Sequence, residues 1–170
     1  MLIALLPLGS SFASTSFDSW SFIDGKTSFF TDFEEFREEW FTIEKEVFEV
    51  DDVYATVNWP KIANRAKNLV EKHEQLMVKF VKESQSAINK LKNEDISQGT
   101  AARKNVLEFI DSVGLVVLKL YEITEKLSKK TKDPYSYTMR QYNLDIEHYK
   151  KLYDTFQTRG SELNKLFYGK

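Results

Sequence analysis

Two histidines, His73 and His148, and no cysteine set the range of chemistry open to this chain. Without cysteine there is no disulfide framework, no thiolate ligand and no thiol nucleophile. His148 follows Asp145 by three residues, a spacing that puts both on one helical face, as a metal pair requires. Di-iron helical bundles, however, draw on Glu-x-x-His motifs and further inward glutamates, and the sequence contains no Glu-x-x-His. No metal site and no cofactor is expected. There is no phosphate-binding glycine loop and no marked Ser, Thr or Lys nucleophile, so no catalytic residue is assigned and the chain is not expected to be an enzyme.

His73 sits between Leu69 and Leu76 on an apolar stripe. A neutral core histidine is the ordinary outcome there; a ligand contact or a pH-sensitive group is the sharper one. Met77 and Phe80 share its surroundings. Further along, Tyr142, Tyr149 and Tyr153 lie on one face of another helical pattern. Rings with hydroxyl tips and an adaptable thioether are the mix expected of an apolar pocket with few orienting polar groups. His73, Met77, Phe80, Tyr142, Tyr149 and Tyr153 are therefore the candidate ligand-binding residues, set between a second and a fourth helix. The competing expectation is that all six simply fill a core.

Long amphipathic helices must position these residues. Phe33, Phe36, Trp40, Ile43, Val47 and Val50 recur at steps of three and four, after a Thr31-x-x-Glu34 capping-box pattern. Asn58-Trp59-Pro60 starts a second stripe: Ile62, Ala66, Leu69, His73, Leu76 and Phe80. Asn93–Gly99 reads as a connection. From Thr100 a third seam runs through Ala102, Val106, Phe109, Val113, Val116, Leu120, Ile123 and Leu127 without a slip. Within it, Val113–Leu118 (VGLVVL) is apolar all round and is expected to be the most buried stretch. Asp133-Pro134 reads as the start of a fourth helix carrying Tyr142, Ile146, Tyr149, Tyr153, Phe156, Leu163 and Phe167, with Gly160 marking a kink or a close approach.

Four such segments with near-heptad seams predict an all-α, up-down antiparallel bundle of about four long amphipathic helices with coiled-coil-like packing, after a cleaved signal peptide. A three-helix bundle with Phe33–Val50 as an outer arm is the alternative. The domain occupies residues 31–170, and residues 14–30 form an aromatic-rich lead-in expected to lie against it. With 42% hydrophobic and 29% charged residues, the chain is neither disordered nor collagen-like.

Charge is uneven along the chain. Residues 31–52 hold ten acids against Arg37 and Lys45, a net of −8, while residues 53–170 carry +7. The acidic helix is expected to dock on basic neighbours, with an exposed face for a cationic partner as the alternative. A total charge of −2 gives no reason to expect nucleic acid.

Leu2–Leu8 is a short apolar run followed by Ser11-Phe12-Ala13, which fits a eukaryotic secretory signal over residues 1–13 with cleavage between Ala13 and Ser14. It is too short to span a bilayer, and no transmembrane segment is expected. The function expected is a secreted, non-catalytic helical binding protein with a protein partner or a small apolar ligand. An exchangeable lipid-surface protein is the alternative, and an enzyme with no recognisable motif the third.

Overall fold

A computed structural model describes residues 22, 25–49, 59–93 and 99–169. The expected signal peptide and most of the lead-in lie outside the described residues. Four helices form the structure: α1 (Ser28–Glu49), α2 (Trp59–Asn93), α3 (Gly99–Lys130) and α4 (Met139–Tyr168), with no strand among the described residues.

Two helix starts differ from expectation, each for a visible reason. α1 begins at Ser28, a turn before the Thr31 box, because a carboxylate from another helix supplies its cap. Glu83 of α2 accepts from Phe29 N–H (3.2 Å) and from Ser28 Oγ (2.9 Å), satisfying a donor that the first turn leaves orphaned. α4 begins at Met139, not at Pro134. Thr138 and Gln141 form the true capping box, with Gln141 N–H on Thr138 Oγ1 and Thr138 N–H on Gln141 Oε1. Asp133 instead turns the chain, its side chain accepting from Tyr135 N–H and its carbonyl from Ser136 N–H.

The helices alternate up and down. Three ion pairs join α1 to α2: Asp32–Lys79, Glu39–Lys72 and Glu46–Arg65. Each step of seven residues up α1 matches seven down α2, which makes the pair antiparallel in heptad register. Between α2 and α3, the Phe80 ring lies against Gly114, where an added β-carbon would stand 3.2 Å from it. Between α3 and α4, Phe109 stacks near Phe156 and against Gly160, so that glycine serves a close approach; the helix runs on through it. α1 meets α4 through long side chains: Phe48 with Tyr142, Trp40 with Tyr149, and Arg37 with Tyr153.

α1 is a full member of the bundle and no outer arm, since Phe29, Ile43 and Val47 are wholly buried. Phe22, Phe29, Phe30, Phe33 and Phe80 form an aromatic end to the core, with ring centroids 5.0–6.1 Å apart. Every residue of the expected α3 seam, from Ala102 to Leu127, is buried. The VGLVVL stretch is not buried all round, however. Val113, Val116 and Val117 face the core, while Leu115 and Leu118 face out.

Candidate functional site: an uncovered apolar face

The six residues expected to bind a ligand fall into two sets. His73 is fully buried against Phe36 of α1 and Tyr121 of α3, with ring centroids at 4.6 and 5.2 Å. Phe80 packs on Phe22, Phe29 and Gly114, and Met77 is partly buried beside the same core. Tyr142, Tyr149 and Tyr153 all turn toward α1 instead. Phe36 and Trp40, one turn apart on α1, stand between the sets. A cavity of about 330 Å³ opens elsewhere: between α1 and α2, over Phe36 and Leu76 and between the Asp32–Lys79 and Glu39–Lys72 pairs.

Several polar groups inside the bundle are engaged with one another. His73 Nε2–H donates to the Val117 carbonyl at 2.9 Å, and a carbonyl can only accept, so the ring is the neutral Nε2 tautomer. Burial lowers its pKa to about 4, against a smaller upward pull from that hydrogen bond. Its Nδ1 is buried with no partner among the described residues. Asp145 is the hub of a second cluster. It accepts from Lys119 (2.7 Å) and Lys126 (2.7 Å) of α3 and from the Tyr137 hydroxyl (2.7 Å). Burial pushes the Asp145 carboxyl up, but those three donors outweigh it and hold the pKa at about 2. His148, three residues on from Asp145, is exposed on the outer side of α4. On the α1–α4 seam, Arg37 donates to Glu34 (2.8 and 3.0 Å) and to Tyr153 (3.0 Å). Beside it the Tyr149 hydroxyl and Trp40 Nε1 are buried without partners among the described residues, and burial raises the Tyr149 pKa.

A further unengaged set is apolar and lies outside. Val78 and Val81 of α2 are 71% and 59% exposed; Leu107, Leu115 and Leu118 of α3 are 43%, 52% and 45% exposed. The helical period places all but Leu115 together. On α2 the α1 side is marked by Lys72, Lys79 and Glu83, and Val81 falls on the opposite shoulder, with Val78 above it. On α3 the α4 side is marked by Lys119 and Lys126, and Leu107 and Leu118, eleven residues or three turns apart, fall on the opposite shoulder toward α2. Leu115, four residues before Lys119 and eleven before Lys126, falls on the α4 side instead. The His73–Val117 and Phe80–Gly114 contacts fix the register, so Val78 and Val81 stand level with the middle of α3. The result is an apolar strip along the outer valley of α2 and α3. Other exposed apolar residues, such as Phe41 on α1 and Leu144 on α4, are single.

Comparisons with protein-family models, with curated proteins and with solved structures find no match. The physical features of this face are therefore the guide to function. None of Val78, Val81, Leu107 and Leu118 lies on the predicted seams. The signal in the sequence was the surplus itself: apolar residues that the three-four spacing of each seam did not need.

Proposed function

We propose that this chain is an exported, non-catalytic helical binding protein whose α2–α3 face recognises another protein. The observation that carries this reading is the set Val78, Val81, Leu107 and Leu118, exposed on the outer sides of two packed helices. Such a surface pays off when a partner of similar shape removes it from water, at roughly 25 cal/mol per Å² of apolar area. The non-catalytic part is supported by the titratable groups, which are committed to one another: His73 to a backbone carbonyl, Asp145 to two lysines, Arg37 to Glu34 and Tyr153. Export is supported by the apolar run Leu2–Leu8 and the small residues Ser11 and Ala13. No helix among the described residues is long and apolar enough to cross a membrane.

Native mass spectrometry of the protein purified from its own source tests this directly. A retained protein chain, lost when Val81→Asp is expressed in its place, is the expected result. A retained lipid or other small apolar molecule would favour the lipid-surface alternative. A chain carrying nothing would overturn the binding role. N-terminal sequencing of the same sample should read from Ser14.

A further inference from the structure

We propose that the α2–α3 valley seats one amphipathic helix of another protein, with an acid on the flank that meets Lys82 and a base on the flank that meets Asp111. This rests on reading that face as a protein-recognition surface and adds the shape and charge of its occupant. Shape comes first. Besides the stripe it turns to the core, each helix carries a second one on its outer shoulder. On α2 it runs Glu74, Val78, Val81, Gln85, and on α3 Leu107, Asp111, Gly114, Leu118, both at steps of four, three and four. That is heptad spacing, the spacing at which one helix accepts another. Two such stripes side by side are the footprint of a third helix lying along the valley, and Leu107 to Leu118 spans about three turns of it. Gly114 keeps the middle of the floor low: it has no side chain, and the Phe80 ring lies against it, 3.2 Å from where a β-carbon would stand.

Charge sets the flanks. Asp111 is four residues from Leu107 and three from Glu108, which pairs with Arg159 of α4, so it falls on the outer rim of α3. Lys82 is four residues from Val78 and three from Lys79, which faces α1, so it falls on the outer rim of α2. The helices are antiparallel, and the Phe80–Gly114 contact sets these two within about a turn of each other across the valley. Both are exposed, and neither has an ion-pair partner among the described residues. Neighbouring charges are engaged: Glu122 with Lys119, Lys104 with Glu108, Lys67 with Glu71. Glu74, unpaired as well, ends the apolar stretch of the α2 stripe and calls for a further base at that end of the occupant. A helix in the valley meets Lys82 along one flank and Asp111 along the other, the positions at which packed helices select partners by opposite charge.

Fluorescence anisotropy with dye-labelled synthetic helices tests this on the intact protein. Three peptides carry leucine at the heptad core positions and differ only in the two flanking residues of the central heptad: Glu and Lys, Lys and Lys, or Glu and Glu. They are held at nanomolar concentration, where they do not pair with one another. The native protein should bind the Glu and Lys peptide most tightly. Asp111→Lys should shift the preference to the Glu and Glu peptide, and Lys82→Glu to the Lys and Lys peptide, each by about fivefold at low salt. Val81→Asp should abolish binding of all three with helicity unchanged, and Leu118→Lys serves as a second disrupting variant. No binding of any peptide overturns the helical occupant, while a foreign chain retained in native mass spectra would still support the recognition face. Binding that survives both Val81→Asp and Leu118→Lys overturns the valley as its site. Glu38→Lys makes the same charge change as Asp111→Lys at an exposed position of α1, and an equal shift there overturns the flanks. Sedimentation equilibrium showing twice the mass of one chain, lost in Val81→Asp, would put a second copy in the valley and overturn the proposal.

Discussion

The two flanks of α2 are built on opposite principles. Toward α1 the flank is polar and closed: Lys79, Lys72 and Arg65 meet Asp32, Glu39 and Glu46 at heptad intervals, and Glu83 caps the start of α1. Toward the outer valley with α3 the flank is apolar and open, with Val78 and Val81 in water. The closed flank explains the charge imbalance along the chain. Three of the ten acids in residues 31–52 are met by bases of the next helix. The open flank lacks any such answer within the described chain. The comparison teaches that exposed charge here is matched inside the molecule, whereas exposed apolar area is left for something outside it.

Adjacent residues of α3 break this comparison most sharply. Val116 is buried and Leu115 is 52% exposed. Val116→Asp places an unpaired carboxylate in the core and should cost about 3–5 kcal/mol, visible as a large drop in melting temperature. Leu115→Asp should leave the melting temperature of the monomer within a few degrees. If the two variants melt alike, the distinction between core and face is wrong.

Acid should act through His73 with the next largest effect. Its folded pKa is about 4 and its ordinary value 6.5, so only the unfolded chain gains the proton as pH falls between these values. Stability is therefore full above about pH 6.5 and declines by about 3 kcal/mol on the way to pH 4. Denaturant titrations at pH 7, 5.5 and 4 should show this loss, and His73→Leu should flatten it. A separate loss belongs to Asp145, whose folded pKa of about 2 lies below its ordinary 3.8; it begins only as pH falls below that ordinary value.

Asp145→Asn should destabilise the protein by about 2 kcal/mol, because Lys119 is mostly buried and loses its main counter-charge. Chemical denaturation measures it. The smallest effect is expected at the closed flank. Glu39→Gln leaves Lys72 in solvent and should cost only about 0.5 kcal/mol, shrinking further in high salt.

The bundle itself was legible in the sequence because its seams are regular. Phe33, Phe36, Trp40, Ile43 and Val47 are all buried, as are the eight seam residues of α3. Helix ends were harder, since Glu83 caps α1 from another helix and no local pattern announces it. Thr138-x-x-Gln141 was a readable box, overshadowed by the stronger-looking Asp133-Pro134. The aromatic groups were placed in the right helices but assigned to one space. Periodicity says which residues turn inward and is silent on the neighbour each one meets, and α1 comes between His73 and Tyr149. The VGLVVL run reads as buried on all sides because hydrophobicity alone does not distinguish a second core face from an exposed one.

Cysteine cross-linking tests the central claim most directly, because the native chain contains no cysteine and gives no background. Val81→Cys carrying a photoreactive cross-linker, returned to the fluid or extract of its own source, should capture a protein chain, while Leu144→Cys on α4, equally exposed, should capture none. Capture by Val81→Cys no greater than by Leu144→Cys would contradict the account.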